Sequence, residues 1–352
     1  MGVTSAVLCL ALGVVPTFGG LINNPPVIIN NQAGLQMAPK LDGDLAVYSS
    51  QTTDSAGNVI DRIHYYRFST NTDSVVPGTA ADSDILPDVD QGRIVFTRTT
   101  DRRAIMLFDT TSGVMTELAP LAGSNRSAPK IGGSRVTFVD FGVHAFGEIM
   151  VFDLNTSTLT RLTNNTTWDG EPDISPDGNA ITWSSCGTGI QCDVYRARWA
   201  VVRGLLVWDK RQLTSNAATE TRPSTDGVQV AFQREKQVGN LTDIVITSMM
   251  GVETVLDLPG HQFNPSIMGQ LVVFNGDTST GRELFIYDAS INTYYQLTQT
   301  TGTESLNGIT RIPTSCGQEI GTYYDPSGCY RIRLVWEVDV IGGEGDVFGA
   351  TF

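Results

Sequence analysis

The chain has 352 residues, 23 Lys and Arg against 37 Asp and Glu, and a formal net charge of −14. Only Lys40, Lys130, Lys210 and Lys236 are lysine, so no basic patch forms and nucleic acid is excluded as an expected partner. Asn, Thr, Ser and Gly are abundant, as in exposed loops and outward strand faces.

The apolar run 5–22 comes first. It reads as an export signal with cleavage after Thr17-Phe18-Gly19, or as a retained leader packed against the rest. Lys40 is the first charged residue, so the usual basic start of a signal is missing. Pro16 and several glycines argue against a membrane anchor, so no permanent span is expected. Leu8 before Cys9 makes a poor lipoprotein site.

Beyond the leader, one pattern repeats. Its leading proline, or a stand-in, falls at Pro39, Pro87, Pro129, Pro172, Pro223, Pro265 and Asn307, at steps of 48, 42, 43, 51, 42 and 42 residues. After the proline comes a short inner strand such as Asp173-Ile174, then a turn such as Asp177-Gly178, Asp226-Gly227, Asp42-Gly43 or Gly132-Gly133. A β-branched and aromatic strand follows, for example Leu45–Tyr48, Ile94–Phe96 and Ile181–Trp183. A third strand (Ile105–Phe108, Ile149–Phe152, Leu284–Tyr287) and an outer strand ending near Leu118, Leu162, Leu213, Leu256 or Leu297 complete the unit. Strands alone at this period predict an all-β fold, a seven-bladed β-propeller of four-stranded antiparallel blades, with six blades as the alternative. The blades start near 38, 86, 128, 171, 222, 264 and 306, in a single domain over 21–352.

The seventh repeat lacks an outer strand. Leu162 and Leu213 each precede a proline by ten residues, and Ile29 precedes Pro39 by the same ten. The N-terminal arm 21–37, through Val27, Ile28 and Ile29, is therefore expected to complete the last blade and remove two open edges.

The run from Leu162 to Trp183, with Pro172 and Ser175-Pro176-Asp177-Gly178 inside it, resembles the TolB-like (WD40-like) repeat of exported bacterial and archaeal propellers. The resemblance covers most of 26–352 and implies fold rather than one function. That family spans periplasmic scaffolds, surface-layer proteins, peptidase propeller domains and a lyase. TolB proteins usually have six blades and an extra α/β domain, so an envelope role of that type is not implied.

Four cysteines fit an oxidising compartment: Cys186 with Cys192, and Cys316 with Cys329, each pair local. The expected location is extracellular, cell-surface or periplasmic. Chemistry is sparse. His64, His144 and His261 are scattered, and there is no nucleophile elbow or phosphate loop. Neither a catalytic set nor a cofactor is expected. The acidic clusters Asp82/Asp84 and Asp88/Asp90 offer oxygens for Ca²⁺ without the spacing of a calcium loop.

Two features stand out. Lys40, Asp88, Lys130, Asp173, Ser224, Ser266 and Gly308 each follow a leading proline or its stand-in, with Glu171 and Arg222 one place before it. These residues are expected around one mouth of the central channel, where a glycan or peptide would bind or be processed. Blade four also carries an apolar ribbon: Trp199, Val201, Val202, Leu205, Leu206, Val207 and Trp208, turning at Arg203-Gly204. An apolar ribbon of that size is expected to meet a protein partner or another copy. The leading expectation is a non-catalytic exported protein that acts through its surfaces, with self-assembly into a filament or surface array as one form of that action; the alternative is a glycan- or peptide-binding module or carbohydrate-active enzyme with its site at the channel mouth.

Overall fold

The computed structural model describes residues 27–30, 34–54, 56–78, 83–187, 191–236, 241–248, 251–279, 281–299, 303–313, 323–325, 328–340 and 344–351. Within them every regular element is a β-strand. The leader, Cys9, Asp82 and Cys316 lie outside the described residues, as does the side chain of Cys329.

The strands form four-stranded antiparallel units, each built outward from an inner strand. In blade two these are Ser83–Asp90, Arg93–Thr99, Arg103–Asp109 and Met115–Glu117. Five units are separate sheets. The last two run together in a nine-stranded sheet through the single parallel pair Arg282–Thr303, with Tyr323–Asp325 as an additional strand. The grouping is consistent with seven blades.

The second strand of each unit is buried from both faces, because neighbouring blades cover it. Its buried residues therefore run continuously, as in Arg135–Asp140 and Leu45–Thr53, rather than alternating. Tyr48, Phe96, Phe138, Phe232 and Phe274 are the largest fully buried side chains. Adjacent blades also touch through their turns. A Cβ on Gly178 would meet Gly132 O of blade three at 2.3 Å, and Gly178 has φ 72°, so this contact requires glycine.

The Leu-Thr pair that ends several outer strands works as a clip. Thr163 Oγ1 accepts from Ile149 N at 2.9 Å and donates to the buried Glu148 at 2.6 Å. Thr214 Oγ1 accepts from Val194 N, and Thr298 Oγ1 from Leu284 N, in the same way. Each hydroxyl extends the ladder one step beyond the outer strand.

Val27–Asn30 pairs antiparallel with Glu344–Thr351, with Val27 opposite Gly349 and Ile28 opposite Phe348. It is the outer strand of the seventh unit, after Thr303–Pro313, Gly328–Val340 and Glu344–Thr351. Val27 and Ile28 face solvent, while Ile29 packs with Leu41, Tyr48, Tyr66, Val335 and Val347. Asn30 Nδ2 donates to Tyr48 Oη at 2.7 Å, and Tyr48 donates onward to Asp73 at 2.7 Å. The arm is thus tied to blade seven through its backbone and to blade one through its side chains.

One local expectation is corrected. The inner strand does not start after the proline; in blade four it spans Trp168–Ile174 and passes through Pro172. A two-against-one bulge makes room for the proline, with the register shifting between Gly170 and Asp173. The same shift recurs at Met37/Lys40, Ile85/Asp88, Ser127/Lys130, Thr221/Ser224 and Phe263/Ser266.

Candidate functional site at the central channel

Each bulge places a non-glycine residue in the left-handed region just before the proline. Ala38, Leu86, Ala128, Glu171, Arg222 and Asn264 have φ between 51° and 55°. Such a conformation costs on the order of 1 kcal/mol per residue and persists only where neighbours hold it. Three of these amides are held by the preceding blade. Ala38 N donates to Glu337 at 3.1 Å, Arg222 N to Glu171 at 2.8 Å and Asn264 N to Gln233 at 2.8 Å.

The bulge turns the flanking side chains toward the axis. Ala38, Leu86, Glu171, Arg222 and Asn264 line one cavity of about 1060 Å³ together with Lys40, Asp88, Lys130, Asp173, Ser224, Ser266 and Gly308. The residues singled out from the sequence therefore share one channel. Sequence reasoning missed Ala38, Leu86 and Asn264, although each occupies the position of Glu171 and Arg222 directly before a proline. Glu171 lies 3.8 Å from Arg222, whose guanidinium also donates to Asn264.

Four consecutive blades present Lys40, Asp88, Lys130 and Asp173, alternating in sign. Both carboxylates are committed to the scaffold. Asp88 Oδ2 accepts from Ile131 N of the next blade at 2.8 Å, and Asp173 Oδ2 accepts from Thr225 N at 2.8 Å. The amines are not: among the described residues neither Lys40 nor Lys130 makes an ion pair or hydrogen bond. Burial, then the charge of Lys130, pushes Lys40 down to about 8 against the pull of Asp88 and Asp173. Burial likewise pushes the Asp88 carboxyl upward, opposed chiefly by Lys130. Asp90, at the turn, is raised to about 6 by burial and by Asp42.

A second ring sits three residues before each leading proline or its stand-in and was not read from the sequence. Gln36, Asp84, Arg126, Asp169, Glu220, Gln262 and Glu304 are all buried. Asp84 takes both hydrogen bonds of a fork from Arg98 at 2.8 Å, and Glu220 pairs with Arg234 at 2.6 Å. In blade three the charges are exchanged, with Arg126 on the inner strand and Asp140 opposite at 2.7 Å. Asp84 is turned to Arg98, and Asp90 bonds Arg93 at 2.8 Å. Among the described residues no three His, Cys, Asp or Glu side chains are grouped to hold a metal.

The other singled-out residues lie elsewhere. Cys186 and Cys192 form a disulfide between facing strands of blade four, the chemistry of an oxidising compartment. Trp199 and Trp208 are half-buried under Arg135 of blade three, at 4.9 and 5.4 Å. Val201, Val202, Leu205, Leu206 and Val207 are exposed.

No protein-family model matches the chain, and no curated protein sequence matches it. Solved structures do match in fold. The β-propeller domain of the trilobed protease from Pyrococcus furiosus has 10% identity and a TM-score of 0.64 over 90% of this chain and 92% of that one; it has an open velcro topology. Oligogalacturonate lyase from Vibrio parahaemolyticus has 10% identity and a TM-score of 0.60 over 92% of each chain. TolB from Acinetobacter baumannii has 22% identity and a TM-score of 0.51 over 73% of this chain, which covers 64% of TolB. These comparisons correct the leading sequence expectation of a non-catalytic, surface-acting protein. Propellers of this fold include a lyase and a protease domain, so a sequence without a familiar catalytic motif was no ground for that reading. The chain has a TolB-like β-propeller fold.

Proposed function

We propose that the central channel recognises a carboxylate-bearing glycan. The observation that carries this reading is the unequal commitment of the channel charges: the Asp88 and Asp173 carboxylates are bound to backbone, and the Lys40 and Lys130 amines are uncommitted. An uncommitted ammonium in a half-buried wall gains most from a ligand carboxylate, since charge-assisted hydrogen bonds strengthen where water is scarce. Ser224, Ser266 and Asn264, on the opposite arc, suit sugar hydroxyls. Oligogalacturonate, on which a fold neighbour acts, is one ligand of this class. An amine lowered to about 8 also serves as a proton acceptor at mildly alkaline pH, which a carbohydrate-active role would use. The disulfide fits an exported protein working at the cell surface, outside the cell or in the periplasm.

The test is titration calorimetry with trigalacturonic acid and its methyl ester. The acid binds and the neutral ester does not. Lys40→Met with Lys130→Met weakens binding by roughly 10- to 100-fold, the worth of one or two charge-assisted bonds. Affinity falls as pH rises through about 8, as Lys40 loses its charge. Equal binding of acid and ester, or indifference to the double substitution, would remove the channel amines from the function. New reducing ends in the same samples report turnover.

A further inference from the structure

The ribbon of blade four is an outlier twice over. Elsewhere the third strand ends near the edge of the blade, as Glu148–Asp153 does opposite Arg135–Asp140. In blade four the third strand continues past Arg198, the partner of Ala180, for four more residues to Val202. It returns through Arg203-Gly204, both with positive φ, and pairs Trp199 with Trp208, Ala200 with Val207, Val201 with Leu206 and Val202 with Leu205. Four extra residues project roughly 13 Å of strand beyond the blade.

Side chains alternate along a strand, so Val201 and Leu206 lie on one face and Val202 and Leu205 on the other. Val201 and Leu205 are each 69% exposed and Leu206 is 55% exposed, so the tip is apolar and bare on both faces. A docked protein surface or an edge-paired second copy covers one face or one edge of such a ribbon. An apolar phase covers both faces and the tip together.

Charge is the second anomaly. The segment 196–212 carries Arg196, Arg198, Arg203, Lys210 and Arg211 against Asp209 alone, in a chain of net charge −14. Arg198, Arg203, Lys210 and Arg211 are exposed at the base and tip of the ribbon. Trp199 and Trp208 sit between the basic base and the apolar end, their rings tilted at 53° with centroids 5.2 Å apart. Behind the Arg203-Gly204 turn, the apolar end, the aromatic pair and the basic collar at the base follow the order of layers in a membrane interface: acyl boundary, interfacial belt, headgroups.

We propose that this ribbon inserts shallowly into the surface of a bilayer bearing anionic lipid headgroups. Insertion stops at the headgroup boundary. The outer edge of Leu205–Gln212 carries backbone groups that need water or headgroup partners and cannot enter hydrocarbon. Arg203 reaches back to phosphates from the tip. The collar makes binding depend on anionic lipid and on salt. The site is independent of the channel and stands whatever the channel binds.

The experiment is vesicle flotation of the full chain with phosphatidylcholine alone and with about one-third phosphatidylglycerol. The expected result is binding to the anionic vesicles that is weakened about tenfold by removing the anionic lipid or by raising salt to 0.5 M, roughly. Val201→Asp with Leu206→Asp abolishes binding, and Arg198→Glu with Arg211→Glu lowers it about tenfold. All four positions are exposed, and an unchanged thermal transition shows that each variant is folded. Binding that persists in the Val201/Leu206 variant places the contact elsewhere, including the apolar segment 5–22, and overturns the proposal. So does failure of the wild type to float. So does a wild-type dimer on light scattering that the same variant dissolves, which would make a second copy the occupant.

Discussion

Two rings of polar residues run around the same inner strands, four positions apart, and they do opposite things. In the ring three residues before the proline, Asp84, Arg126 and Glu220 are buried and closed by partners on the adjacent strand. In the other, Lys40 and Lys130 face the channel with no partner among the described residues. A charge on an inner strand is therefore closed where an opposite charge faces it, or where an amide of the next blade reaches it as at Asp88 and Asp173, and is otherwise available. Asp84 faces Arg98 in register, whereas Lys40 faces Val47.

The largest test of that contrast is Arg126→Ala. It strands the Asp140 carboxylate, 1% exposed, without its cation. The expected loss is about 3–5 kcal/mol in urea unfolding. Exchanging the pair (Arg126→Asp with Asp140→Arg) restores the polarity of blades two and five and should recover at least half. A loss under about 1 kcal/mol would show that the buried ring is not closed as described. Next is Thr163→Val, which removes the acceptor for Ile149 N and a donor to Glu148 inside the fold. The same measurement should show a loss of about 1–3 kcal/mol.

The smallest effect has the opposite sign. Lys40 titrates near 8 in the fold against an ordinary 10.5, so between those values the unfolded chain holds a proton that the folded chain has released. Stability therefore rises with pH across that window, and below it the penalty is fully present. Lys40→Met should stabilise at pH 7 by about 1 kcal/mol, discounted for the water in the channel, and the gain should vanish above pH ~10.5. Melting curves at both pH values decide it. A destabilised Lys40→Met would place that amine in the closed class instead.

The architecture was legible because it is written seven times. The proline spacing located the units, and the ten residues from Ile29 to Pro39 located the strand that pairs with Glu344–Thr351. The lining residues that follow each proline were legible for the same reason, whereas of those that precede it only Glu171 and Arg222 were read. The closed ring went unread although it too has a fixed offset. Its members are Gln, Asp, Arg and Glu, and their common property is burial rather than chemical type. A partial signal existed in Phe96-Thr-Arg98 and Phe232-Gln-Arg234, where arginine stacks on phenylalanine two residues before it at 5.4 Å. Blade three hides it, because Phe138 takes its arginine from the facing strand. The bulge was illegible for another reason. A residue before proline ordinarily favours extended backbone, and contacts from the preceding blade, unseen in a local pattern, hold Ala38, Arg222 and Asn264 elsewhere. Function was the least legible: a missing motif says little about a channel assembled from single residues on separate repeats.

The bulges carry one more consequence. The residue before each proline adopts this conformation without being glycine, so the position accepts different side chains, Glu171 being the one that also holds the next amide, that of Arg222. Ala38, Leu86, Ala128, Glu171, Arg222 and Asn264 already show five kinds of side chain at equivalent sockets. The propeller is in that sense a dial of equivalent sockets around an axis, and ligand preference can drift one socket at a time while the frame that holds them stays still.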